Sequence, residues 1–97
     1  MTYYSTEERL TMSFEKEIIE GRKGQKIEIR GREVKEIIIR NCNKTRIFIS
    51  DNNNLESVHI KNSYLRNLTL ALSKSEIKIE NTKIKDAFIV IENKKNP

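Results

Sequence analysis

Two side chains are single instances of reactive types: His59 is the only histidine and Cys42 the only cysteine among 97 residues. A thiol–imidazole nucleophile needs both groups within hydrogen-bond reach. Here His59 falls on an alternating apolar segment with no cysteine placed beside it, and Cys42 shares its repeat position with Ser63 and Thr82. A closed Cys/His zinc site needs four ligands and an intrachain disulfide needs two thiols, so one His and one Cys exclude both within a single chain. No Gly-rich phosphate loop, HExxH pair or nucleophile elbow occurs, and the carboxylates are scattered among lysines. The expectation is a non-enzymatic protein with no cofactor and no metal. What remains is charge. There are 19 Lys+Arg against 14 Asp+Glu, a net charge of +5. Nine of the positive residues lie between 22 and 46, against three glutamates. Arg40 and Lys61, with His59 close by, form the candidate anion- or partner-binding spot, and Arg30 and Arg32 extend the same basic edge. Such an edge can meet nucleic-acid phosphate or an acidic protein surface. The plainer reading is a solvated face that keeps a small β-protein in solution. Tyr3, Tyr4 and Tyr64 are not spaced as a stacking platform.

The elements that position these groups are written in isoleucine. There are fifteen Ile, against six Leu and three Val. From residue 26 onward they fall into alternating triplets at Ile27–Ile29, Ile37–Ile39, Ile47–Ile49, Val58–Ile60, Leu68–Leu70, Ile77–Ile79 and Ile89–Ile91. Period-two alternation of β-branched residues marks a half-buried strand. Alternate triplets also repeat in identity. Ile37 to Cys42, Val58 to Ser63 and Ile77 to Thr82 all read apolar-x-Ile-charged-Asn-small, at separations of 21 and 19 residues. Hydrophobicity therefore recurs about every ten residues and identity about every twenty, which two strands per coil would produce.

The predicted fold is all-β: a short parallel β-solenoid of about 3.5 coils, with strands stacked about 4.8 Å apart. Stacked Ile would fill a dry interior, Asn41, Asn62 and Asn81 would form a structural ladder, and Cys42, Ser63 and Thr82 a neighbouring column of small side chains. Leu65 and Ile84 would plug the following corner. An antiparallel meander or sandwich is the alternative. It needs tight reversals, yet residues 32 to 96 contain no glycine or proline. The pattern resembles the right-handed parallel β-helices of the pectate-lyase-like kind, in fold alone and over about residues 26 to 93. No residue cluster matches the acidic and basic groove of those enzymes, so the resemblance implies no activity.

Three segments follow: a capping segment over 1–25, solenoid repeats over 26–93 and a charged tail over 94–97. Ser5 and Glu8 have capping-box spacing, and Leu10, Phe14 and Ile18 share one helical face, predicting a helix over about 6–20 that ends at Gly21. Leu10, Met12 and Phe14 also alternate, which leaves a strand as the competing reading. Outside the coils, Phe48, Thr69, Ala71 and Val90 stack as a weakly polar stripe. The N-terminal helix is the simpler cover for it. The alternative is self-association through these four residues as a homodimer.

The function expected from these features is presentation of a rigid solenoid face to a protein partner. The alternative is a basic nucleic-acid-binding accessory protein. Heavy use of Ile, Lys, Asn and Glu suits an AT-rich genome, and a virus or mobile element is a natural source, with inhibition of a host complex as one concrete version. No apolar run is long enough for a membrane span, and the first residues lack a signal-peptide apolar stretch. With one cysteine, this gives a cytoplasmic expectation. The glycosylation patterns at Asn43-Lys44-Thr45 and Asn67-Leu68-Thr69 then read as chance matches.

Overall fold

The protein was analysed as a computed structural model that describes residues 16–52 and 54–92. Eight strands follow in chain order: β1 Lys16–Glu20, β2 Lys26–Arg30, β3 Glu36–Arg40, β4 Asn43–Ser50, β5 Ser57–Lys61, β6 Tyr64–Leu72, β7 Glu76–Glu80 and β8 Lys83–Ile91. Odd strands form one four-stranded sheet and even strands another, in the orders β1-β3-β5-β7 and β2-β4-β6-β8. Every pairing is parallel. The chain is therefore a β-solenoid of four coils, each giving one strand to each sheet. The predicted fold holds; the antiparallel alternative does not.

Register sets each inward column. Ile19, Ile39, Ile60 and Ile79 stack in the odd sheet, and Ile29, Ile49, Leu70 and Ile89 in the even sheet. In the two middle coils these residues are all but sealed from solvent. Each buried aliphatic side chain contributes about 1.5–3 kcal/mol through removal from water. Leu65 plugs its corner completely and Ile84 is half-buried against the same core.

The corner after each odd strand depends on backbone chirality. Gly21, Asn41, Asn62 and Asn81 occupy it at φ 69°, 55°, 52° and 47°. Left-handed backbone is costly for most L-residues, and glycine and asparagine tolerate it best. This explains why Asn recurs where glycine does not. Only one link of the expected amide ladder forms: Asn81 Nδ2 donates to Asn62 Oδ1 at 2.8 Å. Asn41 Nδ2 instead reaches Glu20 Oε2 at 3.4 Å, and all three amides are exposed. Their shared role is the turn, with the ladder incidental.

One residue further on, the column of small side chains is a real ladder. Ser63 Oγ accepts from Cys42 N at 3.1 Å, and Thr82 Oγ1 accepts from Ser63 N at 3.3 Å. Each side chain also donates within its own coil: Cys42 to Arg40 O, Ser63 to Lys61 O and Thr82 to Glu80 O. Buried backbone donors leaving the sheets are thus satisfied coil to coil.

The helix expected over residues 6–20 is overturned in its last turn: Lys16–Glu20 is strand β1, paired residue for residue with β3. Parallel pairing with β3 overrides the four-residue apolar spacing there. Gly21 ends no helix; it makes the first corner. Segment 16–25 belongs to the first coil, and the remainder of the expected cap lies outside the described residues, as does tail 94–97.

Candidate functional site

Outward positions fall where alternation puts them, but stacking changes their electrostatics. On the odd sheet, Glu20, Arg40, Lys61 and Glu80 form one outward column, and Ile18, Ile38, His59 and Lys78 the next. Arg40 Nη2 meets Glu20 Oε1 at 3.0 Å. His59 Nε2 stands 3.5 Å from Glu80 Oε1, and Lys78 Nζ lies 3.1 Å from Glu80 Oε2. The hydrogen bond and positive charge of Lys78, with His59 adding to them, hold the Glu80 carboxyl below the usual glutamate range. Arg32 Nη1 binds Glu17 Oε1 at 2.7 Å, and Arg30 Nε lies 3.4 Å from Asp51 Oδ2. Of the five residues expected to hold an anion, Arg30, Arg32, Arg40 and His59 each face a carboxylate, and only Lys61 does not. Arg40, His59 and Lys61 are brought together on one face. Arg30 and Arg32 are spent elsewhere.

Nucleophile chemistry finds no geometry in the same region. Cys42 is 2% exposed, its sulfur engaged by backbone carbonyls of Arg40 and Ile19. Among the described residues no three His, Cys, Asp or Glu side chains converge as a metal site, and no helix is long and apolar enough to cross a membrane.

The even sheet's outer face carries the expected stripe in two columns, one of Glu28, Phe48, Thr69 and Phe88, the other of Arg30, Ser50, Ala71 and Val90. Phe48 and Thr69 are half-buried, while Phe88 is 64% exposed. Phe88 was missed in the sequence, although it lies two residues before Val90, at the same outward parity.

The largest departure from a sealed solenoid is at its last coil. Ile79, Ile89 and Ile91 point along inward columns yet are 40%, 41% and 51% exposed. Beside them Phe88 and Val90 are exposed outward, so four consecutive apolar residues of β8 meet solvent. This strand is the edge of its sheet, and no other described strand pairs with its outer side.

No protein-family model, curated protein or solved structure matches the chain. The likeness to parallel β-helices rests on the four-coil topology itself. The sequence pattern could not single out the last coil, because its isoleucines repeat those of the sealed coils. Neighbours decide exposure.

Proposed function

We propose that the protein is a non-enzymatic interaction module that docks through its open last coil, and that the occupant is a second copy of the chain. The observation that carries this reading is the exposure of Ile79, Ile89 and Ile91 on two strand edges that no other described strand pairs. A long apolar sheet edge is a template for strand addition. A second copy suits it for two reasons. First, two antiparallel β8 strands centred on Phe88 set Ala87 of one copy against Ile89 of the other, a small side chain facing a large one across the two-fold axis. Second, the opposite end is a poor acceptor. There Ile19 and Ile29 are 3% and 2% exposed, and the column of Ile37 and Val58 begins with the charged Glu17. Head-to-tail addition would set that carboxylate against Ile77. End-to-end docking of two last coils closes instead of propagating. The 14 strand residues of this coil fall below the 20–30 residues a side of a standard interface, so the dimer should be weak and concentration-dependent.

Sedimentation equilibrium from about 1 to 500 μM tests the reading. The wild type should pass from monomer to dimer with no larger species. Ile79→Lys with Ile89→Lys should stay monomeric while keeping the β-rich circular dichroism of the wild type. A wild type that stays monomeric throughout, or a variant that still dimerises, would overturn it.

A further inference from the structure

The outer surface at the entry to the even sheet gathers Lys26, Lys44 and Arg46 of the basic 22–46 edge with Arg66 and Lys85 from later coils. Two shallow grooves of about 380 and 340 Å³ adjoin there. Lys26 and Lys44 line the first, Phe48, Lys85 and Asp86 the second, and Arg46 and Arg66 line both. Among the described residues, none of these five cations makes an ion pair with a carboxylate. Asp86 is the only acid lining either groove. This is the reverse of the odd sheet, where Arg40 is neutralised by Glu20.

Lys44 is held at φ 55°, in the left-handed region, at the turn where the first coil has Gly24 at φ 62°; Lys74 takes the same conformation at a corner outside the groove, so the turn places Lys44 without marking it. Its side chain joins Arg46 and Arg66 in the groove.

Arg66 and Lys85 stand level in successive coils, one solenoid rise of about 4.8 Å apart, while Lys44 joins Arg66 in the first groove from the bulge between β4 and β6. On the same outer face Phe88 is 64% exposed, and two coils away the half-buried Phe48 ring carries Lys26 Nζ 5.2 Å from its centroid, a cation that a stacking base would displace. A cluster of cations with aromatic rings on the same face suits a linear polyanion whose bases can stack. A duplex hides its base faces, and an acidic peptide has no use for the rings.

We propose that this groove binds single-stranded nucleic acid, with phosphates on Lys44, Arg46, Arg66 and Lys85 and bases against the phenylalanines. Lys85 and Phe88 lie on the docking strand β8, whereas Lys44, Arg46 and Arg66 lie outside the last coil, so binding is measured in dilute protein and tested through Arg46 and Arg66.

Fluorescence anisotropy with a labelled 20-nucleotide oligo-dT, at 50 and 200 mM salt, tests it. Four phosphate contacts predict an affinity loss of about 50-fold between those salts. Arg46→Glu with Arg66→Glu should weaken binding at least about tenfold at 50 mM and flatten the salt dependence, since both side chains are exposed and leave the fold intact. Lys35→Glu with Lys74→Glu changes net charge equally at exposed positions away from the groove, and should cost less than about threefold. No binding at 50 mM, equal loss in both variants, equal affinity for a duplex of the same length, or displacement by poly-glutamate at lower concentration than by unlabelled oligo-dT would each overturn the assignment.

Discussion

The same two aliphatic columns run from one end of the solenoid to the other, each beginning and ending in isoleucine, and their ends differ. At the first coil Ile19 and Ile29 are 3% and 2% exposed; at the last, Ile79 and Ile89 are 40% and 41% exposed. The first coil also carries a carboxylate in the inward column, Glu17, tied to Arg32. The last coil carries Ile77 at that level. Identical residue types in identical register therefore have different energetic worth. An inward isoleucine stabilises in proportion to the surface it hides from water, and an inward charge at an end discourages another strand from stacking there.

The sharpest way to break that comparison is to truncate one column at two heights. Ile60→Ala in the sealed third coil should cost about 2–5 kcal/mol in urea unfolding, from lost burial plus a cavity. Ile79→Ala, one coil further along the same column, should cost under about 1 kcal/mol in dilute protein. Its cost should grow with protein concentration if two last coils dock. Equal costs for both variants in dilute solution would mean that the last coil is not open.

Smaller effects sharpen the contrast in the polar ladder. Ser63→Ala leaves the buried Cys42 N–H without its acceptor and should cost about 1–3 kcal/mol. Thr82→Ala removes the equivalent bond one coil nearer the open end, where water reaches the site, and should cost under about 1 kcal/mol. Hydrogen exchange at the amides of residues 42 and 63 reads the two bonds directly, with the larger acceleration expected at residue 42.

The smallest expected effect is electrostatic and lies on the last coil. The Glu80 carboxyl is held below its usual value near 4.5 by Lys78 first and His59 second. A lowered folded-state value means that the folded protein binds fewer protons than the unfolded chain. The contribution is thus present above the ordinary glutamate range and lost as pH falls through the folded value. Lys78→Met should raise the Glu80 midpoint in a carboxyl NMR titration and make stability less sensitive to acid below about pH 4.5. An unmoved midpoint would show that Lys78 does not set it.

The solenoid itself was legible because its two periods are both written in the chain. Ile39, Ile60 and Ile79 lie about twenty residues apart, and Asn41, Asn62 and Asn81 mark each corner. The role of those asparagines was less legible. Their recurrence suggests an amide ladder, whereas what they share is a left-handed φ, a backbone property that residue type only hints at. The first strand was hidden for a related reason. Glu17 occupies an inward position, breaking the alternation of Lys16–Glu20, and Ile18 fits a helical face with Leu10 and Phe14. The basic edge was legible only as a count. Charges counted along residues 22 to 46 ignore neighbours one coil away: Arg40 finds Glu20 twenty residues back, whereas Lys26, Lys44 and Arg46 of the same window line one groove.

Alternation and the twenty-residue repeat determined the two-strand coil, the inward columns and the outward identity of Arg40, His59 and Phe48, because strand geometry assigns faces by parity alone. Which cations are neutralised, which isoleucines stay wet and where Lys44, Arg46 and Arg66 converge were decided only by the stacked coils. Coulomb attraction and burial depend on distance through space, and in a solenoid the nearest neighbours of a residue are a whole coil away along the chain.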